Sequence, residues 1–498
     1  MSYKLDLSDL EGDRRAIARR LADRFAEAID AGRLGPGARL PTTRQLAERA
    51  GINATTAARV YRRLAELGYV TASVGRGTFV RALPPFPSEE AGDDWQAVAL
   101  PAPAPASRER LLQEAMRLAQ SDGVVSLAAG MPAPETLPVA ELARHAAAAF
   151  AELGPAAVGY TDVEGVPELR EQLGRLGAQL GFASGPDEIL VTSGARQGLD
   201  LVARTLLRPG DVVCVESPSF VGTLASLEAT GARLIGIPSD ADGLDVEALE
   251  RAASRHPVKL VALQPACQNP TGRHLSAGRR ARLLGLARER SFFVLEDAVY
   301  ARPPFRGETP PPLRGEAPGH VLYVDSLSKT LGGGLRIGWI AARGPIFDRL
   351  VALKMSTDLH SPALPQHVAA RYLASGAHER LLASLRRFYA RRAAALLAAL
   401  EAQLPGEHRL LEPLGGHSVW VTLTRPVDER ALYLEATRRG VSVTPGSAAL
   451  VERSRRTSLR LSFSLAGEEE LHEGVRRLAA AYRAVLRAER YGATAAVA

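Results

Sequence analysis

Lysine is nearly missing from this chain. Of its 62 basic residues only Lys4, Lys259, Lys329 and Lys354 are lysines, and the rest are arginine. Arginine evidently meets the need for surface charge. A lysine that persists against that bias raises the question of whether its amine is needed, because an amine condenses with a carbonyl and a guanidinium does not readily do so. Cysteine is scarcer still. Cys214 and Cys267 each lie in an apolar stretch and read as core thiols of a reducing compartment, which excludes a disulfide framework. No apolar run approaches the roughly 18 residues of a membrane span. The opening MSYKLDLSDLEGDRR has acids and no apolar core of the secretory kind. A cytoplasmic protein without a membrane partner is expected.

What is present suits a globular chain of about two to four domains. Hydrophobic residues make up 46% and charged residues 23%, and the net charge is +7. That balance permits a nucleic-acid partner without requiring one. Three regions separate. Residues 1–81 are dense in arginine and short helical patterns. Residues 82–107, with six prolines, read as a semi-rigid linker. From 108 to 490, apolar runs such as EILVTSG (188–194), DVVCVES (211–217) and HVLYVDS (320–326) alternate with helical patterns, which predicts a largely parallel sheet covered on both faces. The last residues, YGATAAVA, read as a frayed tail.

The N-terminal region predicts a helix with Ile17, Leu21, Phe25 and Ile29 on one stripe. Thr42 and Gln45 form a capping box for a second helix, and Gly51 ends it. Asn53 then caps a third, whose buried stripe is Ala57, Val60, Tyr61, Leu64 and Leu67. Helix, tight turn, helix places the later helix in a DNA major groove. Asn53, Thr55 and Thr56 would then lie nearest base edges, with Arg44 and Arg59 reaching phosphate or guanine. Two short strands follow, and their turn VGRG lifts Arg76 to its tip. The unit, residues 12–81, resembles the winged helix-turn-helix of the GntR family, whose LP-x-x-R-x-LA and G-x-G-T-F-V patterns recur here. The resemblance implies double-stranded operator DNA as partner.

The strongest single motif is SLSKTLGGGLRIGW (326–339). A pyridoxal aldehyde needs an amine on a rigid element, and Lys329 follows a strand and a small-residue turn. Ser326, Ser328 and Arg336 stand close enough along the chain to hold its phosphate. A second phosphate cradle is read at Ser193-Gly194-Ala195, where a strand opens into a helix. Asp297, ending an apolar run, would be costly unless paired, and a carboxylate facing a pyridine nitrogen keeps that nitrogen protonated. Tyr300 and Asn269, the latter in QNPTG (268–272), are candidate donors to the ring's phenolic oxygen, and Phe220 offers a plane to stack on it.

In this order the elements resemble the fold-type I aminotransferases over residues 110–488. The resemblance implies an α/β fold with a large domain on a mostly parallel seven-stranded sheet, a small C-terminal α+β domain and a homodimer. It implies pyridoxal 5'-phosphate as cofactor, with Lys329 as the catalytic, imine-forming lysine, and it calls for no metal. GYTDVEGVPELR (159–170) matches the segment whose tyrosine, here Tyr160, reaches the neighbouring subunit's cofactor. SLRLSFS (458–464) matches the segment whose arginine, here Arg460, binds a substrate carboxylate. LAAGMPAP (127–134) matches the segment whose glycine, here Gly130, lines the substrate cleft. Two departures touch the ligand side: GGGLR lacks the family's frequent proline, and Phe220 stands where a tyrosine is commoner. Both halves together resemble the MocR/GabR-type regulators. That implies sensing of an amino compound or of pyridoxal 5'-phosphate. A working aminotransferase with an autoregulatory winged helix stays open as the alternative.

Overall fold

The computed structural model describes residues 14–30, 33–35, 38–66, 69–73, 77–80, 123–452 and 454–495, with a few positions between 108 and 121. The expected linker, the wing-tip Arg76 and Leu67 lie outside the described residues. The chain forms two compact units, Met1–Pro105 and Ala106–Ala498.

In the first unit, α1 (Arg14–Asp30), α2 (Thr43–Ala50) and α3 (Ala54–Glu66) precede the antiparallel ribbon of β1 (Val70–Ser73) and β2 (Gly77–Val80). Leu21 and Phe25 of α1, Leu46 of α2 and Val60 and Leu64 of α3 are buried in one core, as their helical spacing predicts. The ends of α2 are fixed by the expected chemistry. Thr42 Oγ1 accepts from the Gln45 N–H, Gln45 Oε1 accepts from the Thr42 N–H, and Gly51 closes the helix at φ 62°. Asn53 Oδ1 accepts from the Thr56 N–H at 2.8 Å and so caps α3. The segment before α2 adds a third rung to the ribbon, through Leu40 N–H to Thr78 O and Val80 N–H to Ala38 O.

In the second unit, β3 (Val125–Ser126) lies apart from the main sheet. That sheet holds β4 (Ile189–Ser193), β5 (Val212–Ser217), β6 (Arg233–Asp240), β7 (Gly243–Leu244), β8 (Val258–Leu263), β9 (Phe293–Asp297), β10 (Val321–Ser326) and β11 (Ile337–Ala341). Their order is β4-β11-β10-β9-β8-β5-β6-β7. Seven strands were expected; the eighth is the two-residue β7, which folds back antiparallel on the edge of β6. Strands β10, β9, β8, β5 and β6 run parallel, and β11 alone runs against both neighbours. Alternate residues of β5 enter different cores, Val213 and Val215 one and Val212 and Cys214 the other, so helices cover both faces.

The C-terminal part carries β12 (His408–Arg409), β13 (Ser418–Leu423), β14 (Val441–Ser442), β15 (Thr444–Pro445) and β16 (Ser458–Ser462). β12, β13, β16 and β15 form an antiparallel sheet in that order, while β14 pairs with β3. The helices Ala377–Gln403 and Glu468–Ala495 pack on one another. The second runs on through most of the segment expected to fray. Both cysteines are buried and free, as expected of core thiols. Among the described residues no helix is long and apolar enough to cross a membrane.

Candidate cofactor and ligand site

Parallel strands bring their carboxyl ends to one edge, where open α/β sheets collect ligands. Here β4 ends in Ser193, β9 in Asp297 and β10 in Ser326, and Lys329 follows on a 3-10 turn. Lys329 Nζ donates to the Gly130 carbonyl at 2.7 Å and stands 5.1 Å from the centre of the Tyr300 ring. Asp297 is buried. Its Oδ2 accepts from Gln264 Nε2 at 2.7 Å and its Oδ1 from the Val299 N–H at 3.1 Å. Burial pushes its carboxyl up to about 6; the Asp325 charge adds to this, while those two hydrogen bonds and Lys329 oppose it. Gln264 also accepts, through Oε1, from the Asn269 N–H at 2.7 Å, so one amide holds both Asp297 and the QNPTG turn. Behind it Glu216 is buried, accepting from the Gln264 N–H at 2.8 Å. Phe220 is half-buried at the start of the helix Val221–Glu228.

Ser193, Gly194 and Ala195 join β4 to the helix Ala195–Leu206, and the free amides of its first turn favour an anion. Gly194 has φ 82°, and a Cβ there would stand 2.5 Å from Arg336 Nη2, so only glycine leaves room for the guanidinium. Arg336 Nη2 donates to the Ser193 carbonyl at 2.5 Å. Ser326 Oγ donates to the Ile337 carbonyl and accepts from the Ser328 N–H, which ties the lysine turn to β11. Ser328 Oγ lies 2.8 Å away and is only half-buried. Ser193 Oγ lies 3.4 Å from Ser361 Oγ, a neighbour that sequence reading missed.

The opposite wall comes from the segment around Gly130 and from β13 and β16. A Cβ at Gly130 would stand 2.9 Å from Arg460 Nη2 and 3.1 Å from Tyr300 Oη, so these groups crowd one point. Arg460 is buried, and its Nη2 donates to the Ala128 carbonyl at 3.0 Å. Its Nε has no partner, and among the described residues no carboxylate pairs with it. A buried guanidinium in that state is costly unless a ligand completes it. His417, on no expected list, is buried beside Tyr300 and Tyr389, with ring centres at 5.2 and 4.3 Å. Tyr160 is 89% exposed and touches only the edge of the His360 ring among the aromatics described. That exposure suits a residue with no work in its own subunit's pocket.

The donor set thus combines an amine, a buried carboxylate and an anion cradle at one strand edge with a buried guanidinium on the opposite wall. It suits a ring base that carries an aldehyde and a phosphate, with an amino acid beside it.

On the first unit, Arg44, Asn53, Thr55 and Arg59 are exposed along α2 and α3. Thr56 is a correction: at 4% exposure it faces the core, because three residues after the cap it turns inward beside Ala57. Its side chain does not reach a base edge. Arg63, further along α3, pairs with Asp23 of α1 at 4.0 Å. An exposed arginine not singled out from sequence, Arg39, lies against Gly77 of β2, beside the wing. Its signal was only its place in the rung that joins the ribbon.

Residues 122–478 match the family described as aminotransferase class I and II, and residues 17–80 match bacterial regulatory proteins of the gntR family. The HTH-type transcriptional regulator TauR of Rhodobacter capsulatus is 31% identical over 492 residues, 95% of this chain and 98% of its own. The 2-aminoadipate transaminase of Thermus thermophilus is 36% identical over 75% of this chain and 94% of its own. Among solved structures, the α-aminoadipate aminotransferase LysN of Thermus thermophilus, complexed with N-(5'-phosphopyridoxyl)-L-leucine, matches with a TM-score of 0.71 at 33% identity, over 79% of this chain and 99% of that one. The chain belongs to the aminotransferase class I and II family, as a transcription regulator of the MocR type in which a gntR-family DNA-binding domain precedes the aminotransferase-like domain and pyridoxal 5'-phosphate is the cofactor.

Proposed function

We propose that the aminotransferase-like unit of this regulator senses an amino compound bearing a carboxylate, and that its occupancy changes how a homodimer holds operator DNA in the cytoplasm. The observation that carries this reading is Arg460, a buried guanidinium without an acidic partner among the described residues, beside Gly130, whose carbonyl accepts from Lys329. A planar fork of this kind fits a carboxylate with two hydrogen bonds.

Within that reading Lys329 holds the cofactor aldehyde, and Asp297, fixed by Gln264, faces the ring nitrogen. Asn269 and Tyr300 serve the phenolic oxygen, and Phe220 lies on the ring face. Ser193, Gly194, Ala195, Ser326, Ser328 and Arg336 hold the phosphate, and Tyr160 extends to the neighbouring subunit's site. When bound, the cofactor supplies an electrophilic carbon and a ring that accepts electrons. The protein's own contribution is to orient the amino compound by Arg460 and to keep a proton available at Lys329 Nζ, held by the Gly130 carbonyl. The coupling to DNA is carried by Arg44 on α2, by Asn53 at the cap of α3 and Thr55 and Arg59 on it, and by Arg76 at the wing tip.

The test uses the full-length, cofactor-loaded protein. Amino acids are screened by the absorbance of the bound cofactor, and those that act are added to an operator-binding assay. The expected result is that the same compounds change operator affinity. Arg44→Ala and Arg59→Ala should each weaken operator binding by about 1–3 kcal/mol if they read bases. A protein that answers only to free pyridoxal 5'-phosphate would overturn the amino-compound reading. One relation favours a second reading, turnover as an aminotransferase: the 36% identity to a transaminase, with the lysine, carboxylate and arginine all assembled. Steady-state assays with amino donors and keto acids decide between the two.

A further inference from the structure

Lys354 is one of the few lysines kept in this arginine-rich chain, it is fully buried, and it has no part in the cofactor site proposed above. It lies one turn from the end of the helix Pro345–Asp358. Its Nζ donates to both carboxylate oxygens of Asp358, at 2.8 and 3.0 Å, and to Ser361 Oγ at 3.3 Å. Between these partners the chain turns tightly at Leu359, with φ 65° and ψ −62°, and the His360 N–H closes the turn by donating to the Asp358 carbonyl at 2.7 Å. That conformation is rare and strained for a residue with a side chain, and it persists only where surrounding contacts enforce it. It brings Ser361 back against Ser193 of the anion cradle, with 3.4 Å between the two hydroxyl oxygens.

Asp358 reaches the same serine from the other side. Gln197 Oε1 accepts from the Ser193 N–H at 2.6 Å, and Gln197 Nε2 donates to Asp358 Oδ2 at 2.7 Å. The amide's orientation is fixed by these partners, since an N–H requires its oxygen and a carboxylate its nitrogen. Ser193, Gln197, Asp358, Lys354 and Ser361 therefore form a closed circuit of polar contacts. Arg336 donates to the Ser193 carbonyl, so both backbone groups of Ser193 are committed within the protein and its hydroxyl is left for an anion. The direction of the circuit follows from its charge. An ammonium only donates, so Ser361 Oγ accepts from Lys354 and keeps its own hydrogen for Ser193 Oγ. The Ser193 hydrogen is then free for the phosphate. A compact ammonium places its donors around one atom, as Asp358 and Ser361 require here, which the planar fork of an arginine does not. The Ser361 backbone has an anchor of its own, Gln366 Nε2 donating to its carbonyl at 2.8 Å, so Lys354 is not needed to hold the main chain there.

We propose that Lys354 is a positioning residue for the cofactor phosphate: through Ser361 on one side, and Asp358 and Gln197 on the other, it fixes Ser193 and directs the Ser193 hydroxyl to that phosphate. This rests on the phosphate cradle proposed above and adds the groups that orient it. A chain of hydrogen bonds that begins at a cation polarises each member toward the next, which strengthens the last bond to an anion. No member of the circuit is assigned to the pyridine nitrogen, the phenolic oxygen or the aldehyde, so its contribution belongs to the phosphate alone.

The test compares pyridoxal 5'-phosphate with pyridoxal, which has the same ring and aldehyde without the phosphate, on full-length protein stripped of cofactor. Dissociation constants for both are read from the absorbance of the lysine-bound form, and inorganic phosphate is titrated as a competitor. Lys354→Met should weaken pyridoxal 5'-phosphate by about tenfold or more, the scale of one hydrogen bond to a charged group, and leave pyridoxal within about twofold. Ser361→Ala, which deletes one oxygen and keeps the ion pair, should move the same ratio in the same direction by about threefold or more. Both variants should need more inorganic phosphate to compete. A merely structural lysine would weaken the two compounds together. Equal losses for both compounds in Ser361→Ala, or an unchanged ratio in folded Lys354→Met, overturn the inference. Arg336→Ala separates that failure from failure of the cradle. If Arg336→Ala lowers the preference for the phosphorylated compound while the other two variants keep it, the cradle stands and Lys354 has no part in it. If all three keep the wild-type preference, the phosphate is held elsewhere and both readings fall.

Discussion

The wall proposed to face the cofactor and the wall proposed to face its ligand are assembled in different ways. The first is made from the ends of neighbouring strands and the turns that follow them: Ser193-Gly194-Ala195 after β4, Asp297 at the end of β9, Ser326 to Arg336 between β10 and β11. Its parts are short runs of sequence that the sheet brings side by side. The second joins Gly130 to His417 and Arg460, residues hundreds of positions apart that meet because β13 and β16 pair and lean on the segment 128–131. The first wall is held largely by hydrogen bonds among its own elements, with Lys329 reaching across to the Gly130 carbonyl of the second. The second keeps two fully buried polar atoms, Arg460 Nε and His417 Nδ1, without hydrogen-bond partners among the described residues. One side is thus built from the ends of a single sheet, whereas the other depends on the pairing of two strands of the smaller sheet with a distant loop.

The largest effect should come from breaking the cofactor wall at its one covalent point. Lys329→Ala should abolish the absorbance of the lysine-bound cofactor. In the wild-type protein, borohydride should fix the cofactor's mass on a peptide containing Lys329. Mass found on Lys259 or Lys354 would show that the amine was misassigned. Structure already separates these lysines: Lys259 pairs with Asp211 at 2.8 Å, and Lys354 is buried against Asp358 and Ser361.

Breaking the ligand wall should leave the cofactor in place. Arg460→Ala should weaken the response to carboxylate-bearing amino acids by about 2–5 kcal/mol, the usual result of removing one side of a buried charge pair. The cofactor absorbance before ligand addition should be close to that of the wild type, because no contact to the lysine, ring or phosphate groups is lost. If the variant loses the cofactor as well, the two walls are not independent and the comparison fails.

The same division explains what was legible in the sequence. The clustering of the proposed cofactor wall was legible because its parts fall within a few residues: an amine after a turn, hydroxyls beside it, an arginine seven positions on. The capping box at Thr42–Gln45 and the stop at Gly51 were legible for the same reason. Thr56 was misplaced because a cap residue sets the helical phase, and the side chain three positions on turns into the core. His417 gave no signal, since a single histidine after two glycines acquires meaning only from Tyr300, Tyr389, Lys329 and Arg460, none of them near it in sequence. Gln264 was hidden likewise: a glutamine at a strand end says nothing until Asp297 and Asn269 are on either side of it.

The smallest effect expected is on the cofactor wall itself and concerns a proton. Glu216 is buried, and burial pushes its carboxyl up to about 8, with the Asp297 charge adding to this and the hydrogen bonds from Gln264 and Gln268 opposing it. Near neutral pH it therefore stays protonated, which leaves Asp297 as the carboxylate of the pair that ionises more readily, as its proposed place at the ring nitrogen requires. The folded protein holds this proton to higher pH than the unfolded chain, where a glutamic acid releases it near 4.5. More protons bound in the folded state means that stability falls as pH rises. Glu216's share is fully present below about 4.5 and is lost as pH climbs through about 8. In cofactor-free protein, thermal unfolding between pH 5 and pH 8.5 should show that decline. Glu216→Gln, neutral at every pH, should flatten it by on the order of a few degrees. Because glutamine has nearly the shape of the protonated acid, cofactor affinity at pH 7 should scarcely move. Parallel melting curves for the two proteins across that range would mean that Glu216 is already ionised at neutral pH. A large loss of cofactor affinity at pH 7 would mean the same, and the cofactor wall would then place two charges, not one, behind the ring.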